Sequence, residues 1–430
     1  MRSMVAQGEG VLRITRYGAT WIGKAPHPAG QPPSDPIEAL HWADSARRFA
    51  SHIDTAPAAG GWIAVLHYEL GELLESAVCT GTGPSDDRDA PLADLLWCPN
   101  VLCFGPDETP GGEPLKQRSA LRSDPPAALH KATIERTVEY ICAGDIFQAN
   151  LTRRLSVDVH GDALVWAQHA ITSSHAVFGS MVRLPGQHGA PSRVITSMSP
   201  ELFVDVDADG NITSRPIKGT ADAQDAVESL EASNKDAAEL HMIVDLVRND
   251  LGRICQRGSV RVHAARAMET HTTVHHGVAD VRGHLRDDVG LVELLRATFP
   301  PGSVTGAPKI RAMQIIRELE TRPRHAYCGA IGLLGPSGST TLSVAIRTAQ
   351  LHGQLDGHRF TGVLDYGTGG GITAQSDATA EVWETELKAQ ALRDSLRSTM
   401  PSDAAADRPA GPALHAAAAA TPCVDATHSR

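Results

Sequence analysis

One stretch of the chain, SRVITSMSPELFVDVDADGNITSRPIKG at residues 192–219, restricts the fold more than any other. It is typical of strand, hairpin and strand, because DADGN supplies the Asp-Gly and Gly-Asn pairs of a tight turn between alternating segments. Strands joined in this way run antiparallel. Lys218 is unusual in such a strand, since Pro216 fixes the backbone and Gly219 permits close approach of backbone or ligand. The stretch therefore predicts antiparallel sheet and a lysine held in a defined place.

Elsewhere the apolar residues recur at helical spacing, or alternate as in strands. We predict helices that end at Gly144, cover 233–255 and 308–320, and start near 377, and strands at 145–159, 259–283, 327–335 and 341–351. The last two strands are expected to form a hairpin around GPSGS. Long alternating strands joined by tight turns, with helices between them, favour an α+β fold of mostly antiparallel sheet with helices outside.

Composition excludes several classes of protein. The chain of 430 residues is 42% hydrophobic and 21% charged, which is typical of a globular protein, and no Lys/Arg block offsets its net charge of −11. We therefore expect no nucleic-acid partner. No run of about 18 apolar residues occurs and the N-terminus has no apolar signal segment, so we expect no membrane contact. Seven scattered cysteines without a C-x-x-C pair indicate reduced thiols and a cytoplasmic location.

Changes in composition divide the chain into three parts. Residues 1–120 mix short apolar runs with Pro/Gly/Asp stretches and are predicted to form an N-terminal subdomain. Residues 121–395 carry the strong helix and strand signals and form the predicted catalytic domain. Residues 396–430 are rich in alanine and proline, which predicts a disordered tail.

Two predicted helices each present a pair of acids. Asp236 and Glu239 lie three residues apart, as do Glu381 and Glu384, with Lys388 on the same face as the second pair. Each pair alone is explained by the helix dipole or by a solvated surface with a Glu384–Lys388 ion pair. If the two pairs face each other across a cleft, they form an oxygen cage for a hard divalent cation, and Mg²⁺ fits best.

The histidines of TTVHHGVADV do not have the spacing of a metal site. His271, His275 and His276 fall in an alternating, β-branched run, and neighbouring residues of a strand point to opposite faces. We therefore expect one histidine at most to face a pocket, either as a catalytic group or as a packed core residue.

Two glycine-rich segments and one arginine indicate an anion site. DYGTGGGITAQ (365–375) has three consecutive glycines after a predicted strand, and GSVTGAPKIRAMQII (302–316) leads into a helix. Either could bind an anion through bare N–H groups, or could be an ordinary tight turn. Arg347 lies in an apolar strand, beside the strand of Tyr327, and a half-buried arginine needs an anion. Together with the acids, these features indicate a small dianionic substrate.

The motifs of this chain resemble those of the chorismate-utilising enzymes over roughly residues 61–395. The matching segments, in the order of that family, are GDIFQANLTRRL, SPELFV, RPIKGT, AELHMIVDLVRNDLGRI, FPPGSVTGAPKIRAMQIIRELE, YCGAIGLL, AIRT and GGGI…AEVWET. The resemblance implies two stacked antiparallel sheets wrapped by helices, with chorismate and Mg²⁺ between them.

Two positions separate the branches of that family. Isochorismate and salicylate synthases have a lysine base where this chain has Gln148, and anthranilate synthases typically have alanine where it has Lys218. The resemblance implies amination of chorismate at C4, through attack of Lys218 on C2 and a covalent adduct, with Glu201 as the acid for the leaving hydroxyl. The lysine must be neutral to attack, so we expect desolvation, Mg²⁺ or Arg215 to lower its pKa. The alternatives are an anthranilate synthase component or another C2-aminating relative, and a catalytically dead subunit.

The resemblance also assigns the remaining site residues. Glu239 and Glu384 match direct Mg²⁺ ligands, and Asp236 and Glu381 match outer ligands that act through water. His276 matches an active-site histidine. The residues that match the substrate-binding groups are Tyr327, Arg347, Gly370, Gly371, Lys388, Thr305 and Gly306.

Ammonia is expected to come from a separate partner, because the chain contains no glutaminase triad. The partner implied is a glutamine amidotransferase subunit, and the pathway implied leads to para-aminobenzoate and folate.

Overall fold

Two antiparallel sheets packed face to face make up the fold, in a computed structural model of the protein. Strands and helices are numbered along the chain. The described residues are 3–6, 10–23, 29–50, 61–79, 90–98, 101–104, 112–186, 191–222, 234–270 and 274–397. The tail prediction therefore lies outside the described residues, apart from its first two positions.

The larger sheet has eleven strands. They are β2 (Gly10–Thr15), β3 (Gly18–Gly23), β4 (Gly61–Leu66), β5 (Pro91–Cys98), β12 (Leu202–Val206), β13 (Asn211–Arg215), β14 (Ile217–Asp222), β15 (Arg261–Thr270), β16 (Val274–His284), β18 (Ala330–Leu334) and β19 (Thr340–Val344). Their order is β14-β16-β13-β12-β19-β18-β4-β5-β2-β3, and β15 also pairs with β16.

The smaller sheet has eight strands. They are β7 (Lys116–Gln117), β8 (Arg122–Asp124), β9 (Gln148–Asp162), β10 (Phe178–Leu184), β11 (Ser192–Ser199), β17 (Gly306–Ala307), β20 (Thr348–Asp356) and β21 (Arg359–Ile372). The central order is β10-β11-β20-β21-β9-β17, and β7 and β8 pair with β9. Two further strands, β1 (Ser3–Ala6) and β6 (Val101–Phe104), pair with each other.

Helices cover the sheets. They are α1 (Pro36–Ala50), α2 (Leu70–Leu74), α3 (Ala127–Cys142), α4 (Ala163–Ser173), α5 (Asn234–Gly252), α6 (Leu291–Thr298), α7 (Lys309–Leu319), α8 (Ala378–Lys388) and α9 (Gln390–Arg397). In α5, Leu240, Ile243, Val244, Val247 and Leu251 recur at helical spacing and are buried against the larger sheet. None of the helices among the described residues combines the length and apolar character that a membrane crossing requires.

The predicted α+β architecture of two stacked, mostly antiparallel sheets is confirmed. One apolar cluster contains Val11 and Val65 from the larger sheet and Val182 and Ile195 from the smaller, so the two faces pack on each other. The N-terminal strands extend the larger sheet, because β4 pairs with β18. The division at residue 120 stays a prediction.

Two details of the sequence interpretation are wrong. The predicted strand 341–351 is broken at Arg347, whose φ is 50°, so β19 belongs to the larger sheet and β20 to the smaller. The three glycines do not follow a strand. They lie inside β21, where Gly369, Gly370 and Gly371 pair with Thr152, Leu151 and Asn150 of β9.

The break at Arg347 is one of two neighbouring crossings between the sheets. Strand β11 of the smaller sheet leads through Pro200 and Glu201 into β12 of the larger, while β19 leads through Arg347 back into β20. The crossings run side by side, since the Val344 N–H donates to the Glu201 carbonyl at 3.0 Å and the Met198 N–H donates to the Arg347 carbonyl at 3.0 Å. The predicted acid and a predicted substrate-binding residue therefore occupy one corner of the fold.

Candidate active site

The glycine-rich end of β21 is the backbone against which the predicted site residues gather. A Cβ placed on Gly371 would lie 2.4 Å from Gln148 Nε2 and 3.2 Å from Lys218 Nζ. A Cβ on Gly370 would lie 3.2 Å from Glu381 Oε2 and 3.8 Å from Glu384 Oε1. Only a residue without a side chain admits these groups so closely.

One edge of this glycine segment is left without a strand partner. Strand β20 pairs with β21 only as far as Tyr366, opposite Ala349, while β9 continues along the other edge to Ile372. In the described part of the chain, β21 therefore presents a free backbone edge after Tyr366. The predicted binding of an anion by bare N–H groups fits this edge, although the glycines are in a strand and not in a turn.

Lys218 reaches the site from an irregular part of β14. The register with β16 shifts between Ile217 and Thr220, and Gly219 has a φ of 79°, which favours glycine. The Lys218 carbonyl lies 2.6 Å from a Cβ placed on Gly277 of β16, so the two backbones are in close contact. These contacts give the lysine the defined place that the RPIKGT motif predicts.

Carboxylates surround the Lys218 amine. Its Nζ forms an ion pair with Glu239 Oε2 at 2.8 Å, and the side chain is 19% exposed. Burial acts to lower the pKa of Lys218, but Glu239, Glu384 and Glu201 together outweigh burial and raise the pKa above its usual value. The expectation of a lowered pKa for Lys218 is therefore wrong for this structure. Arg215, one of the groups expected to lower that pKa, instead forms an ion pair with Glu269.

Glu201 has the electrostatic properties of an acid near neutral pH. Its side chain is buried, and desolvation raises the pKa of Glu201 to about 7. The Ser303 hydroxyl, the Lys218 amine and the Ile217 N–H act in the opposite direction without cancelling that rise. A carboxyl group with a pKa near 7 can give and take a proton at physiological pH.

Arg347 and Tyr327 extend the site along the crossing between the sheets. Arg347 is half-buried, and among the described residues its guanidinium has neither an ion-pair nor a hydrogen-bond partner. Tyr327 is buried against β21, because a Cβ on Gly367 would lie 2.1 Å from its ring. A partly buried guanidinium without an acidic partner is available for an anionic ligand.

The remaining carboxylates are held by hydrogen bonds and ion pairs. Glu381 accepts a hydrogen bond from Ser376 Oγ at 2.7 Å, and Glu384 pairs with Lys388 Nζ at 2.7 Å, as the helical spacing predicts. Lys388 also donates to the Gly369 carbonyl at 2.8 Å. Asp236 lies one turn before Glu239 on α5 and is half-buried.

These acids fit a hard cation by their chemistry. The side chains near Gly370 and Lys218 include carboxylate oxygens, which are ligands that Mg²⁺ prefers. Lysine amines balance the charge of two of these carboxylates, Glu239 and Glu384. Within the described ranges, no three acidic, histidine or cysteine side chains converge as a metal cluster. The oxygen cage across the cleft thus stays a prediction.

The other predicted residues lie near the same elements. His276 is buried in β16, opposite Thr220 of β14 and Glu269 of β15. Its neighbour His275 is also buried and lies 2.9 Å from Thr270 Oγ1 through Nδ1, so both histidines are packed in the sheet. His271 lies outside the described residues.

Thr305 and Gly306 meet the start of β9. The Thr305 carbonyl accepts a hydrogen bond from Asn150 at 2.7 Å, and a Cβ on Gly306 would lie 2.1 Å from the Gln148 carbonyl. Both residues are therefore beside Gln148, which in turn contacts Gly371.

Sequence reasoning did not anticipate the role of Gln148 in the packing of the site. Its buried side chain touches Gly371 on the same side as Lys218, and its Oε1 has no hydrogen-bond partner among the described residues. Sequence reasoning also missed the buried ion pair between Asp250 Oδ2 and Lys309 Nζ, which are 2.6 Å apart. The RND and GAPK motifs that contain them were visible, but no spacing rule connects them.

Fold and site together define a protein that can bind a small anion between carboxylates and cations. The sequence matches the family of chorismate binding enzymes over residues 104–394. The chain belongs to that family.

Several proteins of known name are similar to this chain in sequence. It is 40% identical over 286 residues to an aminodeoxychorismate synthase of Streptomyces pristinaespiralis, covering 65% of this chain and 38% of that protein. It is 37% identical over 317 residues to aminodeoxychorismate synthase component 1 of Klebsiella aerogenes, covering 72% and 66%. The chain thus spans less than two thirds of the length of either relative.

Among solved structures, the fold is similar to that of anthranilate synthase component I from Streptococcus pneumoniae. The TM-score is 0.73 at 26% sequence identity, and the match covers 90% of this chain and 91% of the other.

Proposed function

We propose that this chain is an aminodeoxychorismate synthase component I, which converts chorismate and ammonia to 4-amino-4-deoxychorismate and water. One observation carries the proposal: the amine of Lys218 lies at Gly371, inside the acid-lined site, and forms an ion pair with Glu239. A lysine in that position can act as a nucleophile toward a ring bound along the glycine edge.

The proposed reaction has two substitutions. Lys218 Nζ forms a bond to C2 of the ring while the C4–O bond breaks, and the hydroxyl leaves as water with a proton from Glu201. Ammonia then forms a bond to C4 while the C2–N bond breaks, which releases Lys218 as the neutral amine and leaves the product as an ammonium ion, so that Glu201 regains its proton from another source. Glu201 suits the first step, because burial raises its pKa to about 7 and keeps a proton available near neutral pH.

Substrate carboxylates would be held by several groups of this chain. Arg347 has a guanidinium available, Tyr327 packs against Gly367 of β21, and Lys388 lies at the glycine edge with Gly370 and Gly371. Thr305, Gly306 and His276 would complete the walls, and the free edge of β21 would add N–H donors.

Mg²⁺ would be held by Glu239 and Glu384, with Asp236 and Glu381 acting through water, and would supply positive charge that orients and polarises an anionic substrate. The family and the oxygen donors of the site support this assignment.

The ammonia source in this proposal is a separate glutamine amidotransferase subunit. A relative is named as component 1, which implies a second component in that protein. We place the reaction in the route to para-aminobenzoate and folate, and in the cytoplasm, because the five cysteines whose side chains the structure describes form no disulfide.

Anthranilate synthase component I is the second candidate, because the solved structure with a TM-score of 0.73 carries that name. Lys218 favours the first candidate. The two differ in the carbon that receives nitrogen, so the test is to incubate the protein with chorismate, Mg²⁺ and ¹⁵N-ammonium. We expect ¹⁵N at C4 by NMR and loss of turnover with EDTA. Anthranilate as the product would overturn the proposal.

A further inference from the structure

A second pocket lies behind the predicted acid. It leaves about 20 Å³ for the centres of water molecules and is lined by Glu201, Ser214, Ser303, Thr298 and Asp250, with apolar walls from β12, β19 and α5. A space of that size with several polar groups can hold about one ordered water. The pocket therefore connects two buried carboxyl groups, one of which the proposed reaction does not use.

The second carboxyl group belongs to Asp250 of α5, and its hydrogen-bond partner lies closer to the surface. Its Oδ2 accepts a hydrogen bond from Lys309 Nζ at 2.6 Å, and Lys309 also donates to the Thr298 carbonyl at 2.7 Å. The side chain of Asp250 is 8% exposed and that of Lys309 is 14% exposed. The Lys309 side chain is thus partly exposed to solvent, while the Asp250 side chain lines the pocket.

We propose that Asp250 and Lys309 form a proton relay that returns a proton to Glu201 through water in this pocket. A proton passes from Lys309 Nζ to Asp250, from Asp250 to water, and from water to Glu201, and solvent water then reprotonates Lys309. One proton enters from solvent for each proton that Glu201 receives. The inference rests on the proposed role of Glu201 as the acid.

The charged groups around both carboxyls are consistent with such transfer. Lys309 on α7 and Arg253, which directly follows α5, face Asp250, while Lys218 of β14, the Ser303 hydroxyl and the Ile217 N–H face Glu201. Burial raises the pKa of both carboxyl groups, so each can hold a proton at pH values where an exposed carboxyl cannot.

The variant Asp250→Asn tests the relay, because an amide keeps the shape of the side chain but cannot pass a proton in this way. We expect steady-state kcat to fall about tenfold, the single-turnover rate to stay within about twofold, and added imidazole to restore most of the loss. Asp250→Glu should retain turnover. A merely structural role would lower both rates equally and would not respond to imidazole.

The control is Asp44→Asn, which breaks a similarly buried ion pair, with Arg47 at 2.6 Å, away from this pocket. It should leave the ratio of the two rates unchanged. An unchanged steady-state rate in Asp250→Asn, or equal losses in both rates, would overturn the relay and leave the proposed function standing.

A measurement without turnover separates the two proposals further. After a rapid pH jump, the infrared carboxyl band that disappears in Glu201→Gln reports the proton on Glu201. We expect Asp250→Asn to slow its change and imidazole to restore it. An unchanged rate would contradict the relay even if the protein aminated no chorismate.

Discussion

Lys218 Nζ lies 2.8 Å from Glu239 Oε2, so the proposed nucleophile and a proposed metal ligand are partners in one ion pair. Glu239 is the acid in direct contact with the amine, and its removal would leave Lys218 with only the weaker attraction of Glu384 and Glu201. The position of the amine therefore depends on α5 as well as on its own strand. That dependence explains how a lysine in a sheet can be presented at a fixed point.

Substitution of Gly371 tests the close packing of the site. In Gly371→Ala the new methyl group would lie 2.4 Å from Gln148 Nε2 and 3.2 Å from Lys218 Nζ, which must move. A shift of about 1 Å at reacting groups can cost about 10²-fold, and we expect a loss of that order in kcat/KM with the fold retained.

A matched glycine provides the control. A Cβ on Gly252, at the end of α5, meets no atom within 4 Å, so Gly252→Ala should keep full activity. Equal activity of both variants in steady-state assays would show that the glycine edge of β21 is not part of the site.

Arg347 is expected to contribute to substrate affinity. Its half-buried guanidinium has no acidic partner among the described residues, and a charge-assisted hydrogen bond contributes about 1.5–3 kcal/mol. Arg347→Gln should therefore raise KM for chorismate by about 10- to 100-fold, with a smaller effect on kcat. Arg122→Gln, which breaks an exposed pair with Asp158, is the control and should leave KM unchanged. A KM that does not move in either variant would remove Arg347 from the binding site.

The raised pKa of Glu201 predicts a dependence of stability on pH. Folding raises the pKa of this carboxyl from 4.5 to about 7, so the folded state holds the proton more tightly. Its stabilising contribution is present below about pH 4.5 and is lost as pH rises through 7, by about 3 kcal/mol in total. The variant Glu201→Gln has no titrating carboxyl at this position, so it lacks this dependence on pH. Relative to wild type, the variant should gain about 2–3 kcal/mol between pH 5 and pH 8.

Urea unfolding at the two pH values measures that gain. At pH 5 both side chains are neutral, which provides an internal reference for the substitution itself. A constant difference between wild type and variant would mean that Glu201 is ionised in the folded protein at pH 5, and that it is unsuited to act as the acid.

Asp94 holds the two sheets together through a buried charge network. It is fully buried in β5 and accepts hydrogen bonds from Arg13 Nε at 2.7 Å and from Arg193 Nη2 of the other sheet at 2.7 Å. Burial acts to raise the pKa of Asp94, but Arg193, His67 and Arg13 outweigh burial and hold it well below its usual value. Asp94→Asn should cost about 3–5 kcal/mol in unfolding free energy, because buried cations lose their partner.

The sign of the pH effect follows from the depressed pKa. The stabilisation by Asp94 is present above about pH 4 and is lost as pH falls further, so the variant and wild type should converge in acid. Asp158→Asn removes an exposed partner of Arg122 and should cost less than about 1 kcal/mol. Equal losses in the two variants by urea titration would contradict the account of the network.

Much of the fold could be predicted because local pattern and tertiary structure agree. The helix expected at 233–255 is α5, the one expected at 308–320 is α7, and DADGN forms the turn between β12 and β13. In that turn, the Asp207 carboxylate accepts hydrogen bonds from the N–H groups of Asp209 and Asn211. Turn residues and apolar periodicity are local properties, so a single sequence contains them.

The crossings between the sheets could not be predicted in the same way. SVAIRTAQL alternates without glycine or proline, yet the chain turns at Arg347 because β19 and β20 have different partners in different sheets. The ion pair of Lys218 with Glu239 and the pocket shared by Glu201 and Asp250 likewise join segments that are distant in sequence. Such contacts are set by tertiary pairing, which leaves no local signal.

The most direct test of the central claim compares wild type with Lys218→Ala on chorismate, Mg²⁺ and ammonium at alkaline pH, with products identified by mass spectrometry and NMR. Lys116→Ala, at a surface lysine paired with Glu113, is the control. We predict 4-amino-4-deoxychorismate from wild type and control, and a loss of about 10³-fold or a diversion to C2 amination in Lys218→Ala. Unchanged C4 amination in Lys218→Ala, or anthranilate from wild type, would contradict a nucleophilic role for Lys218.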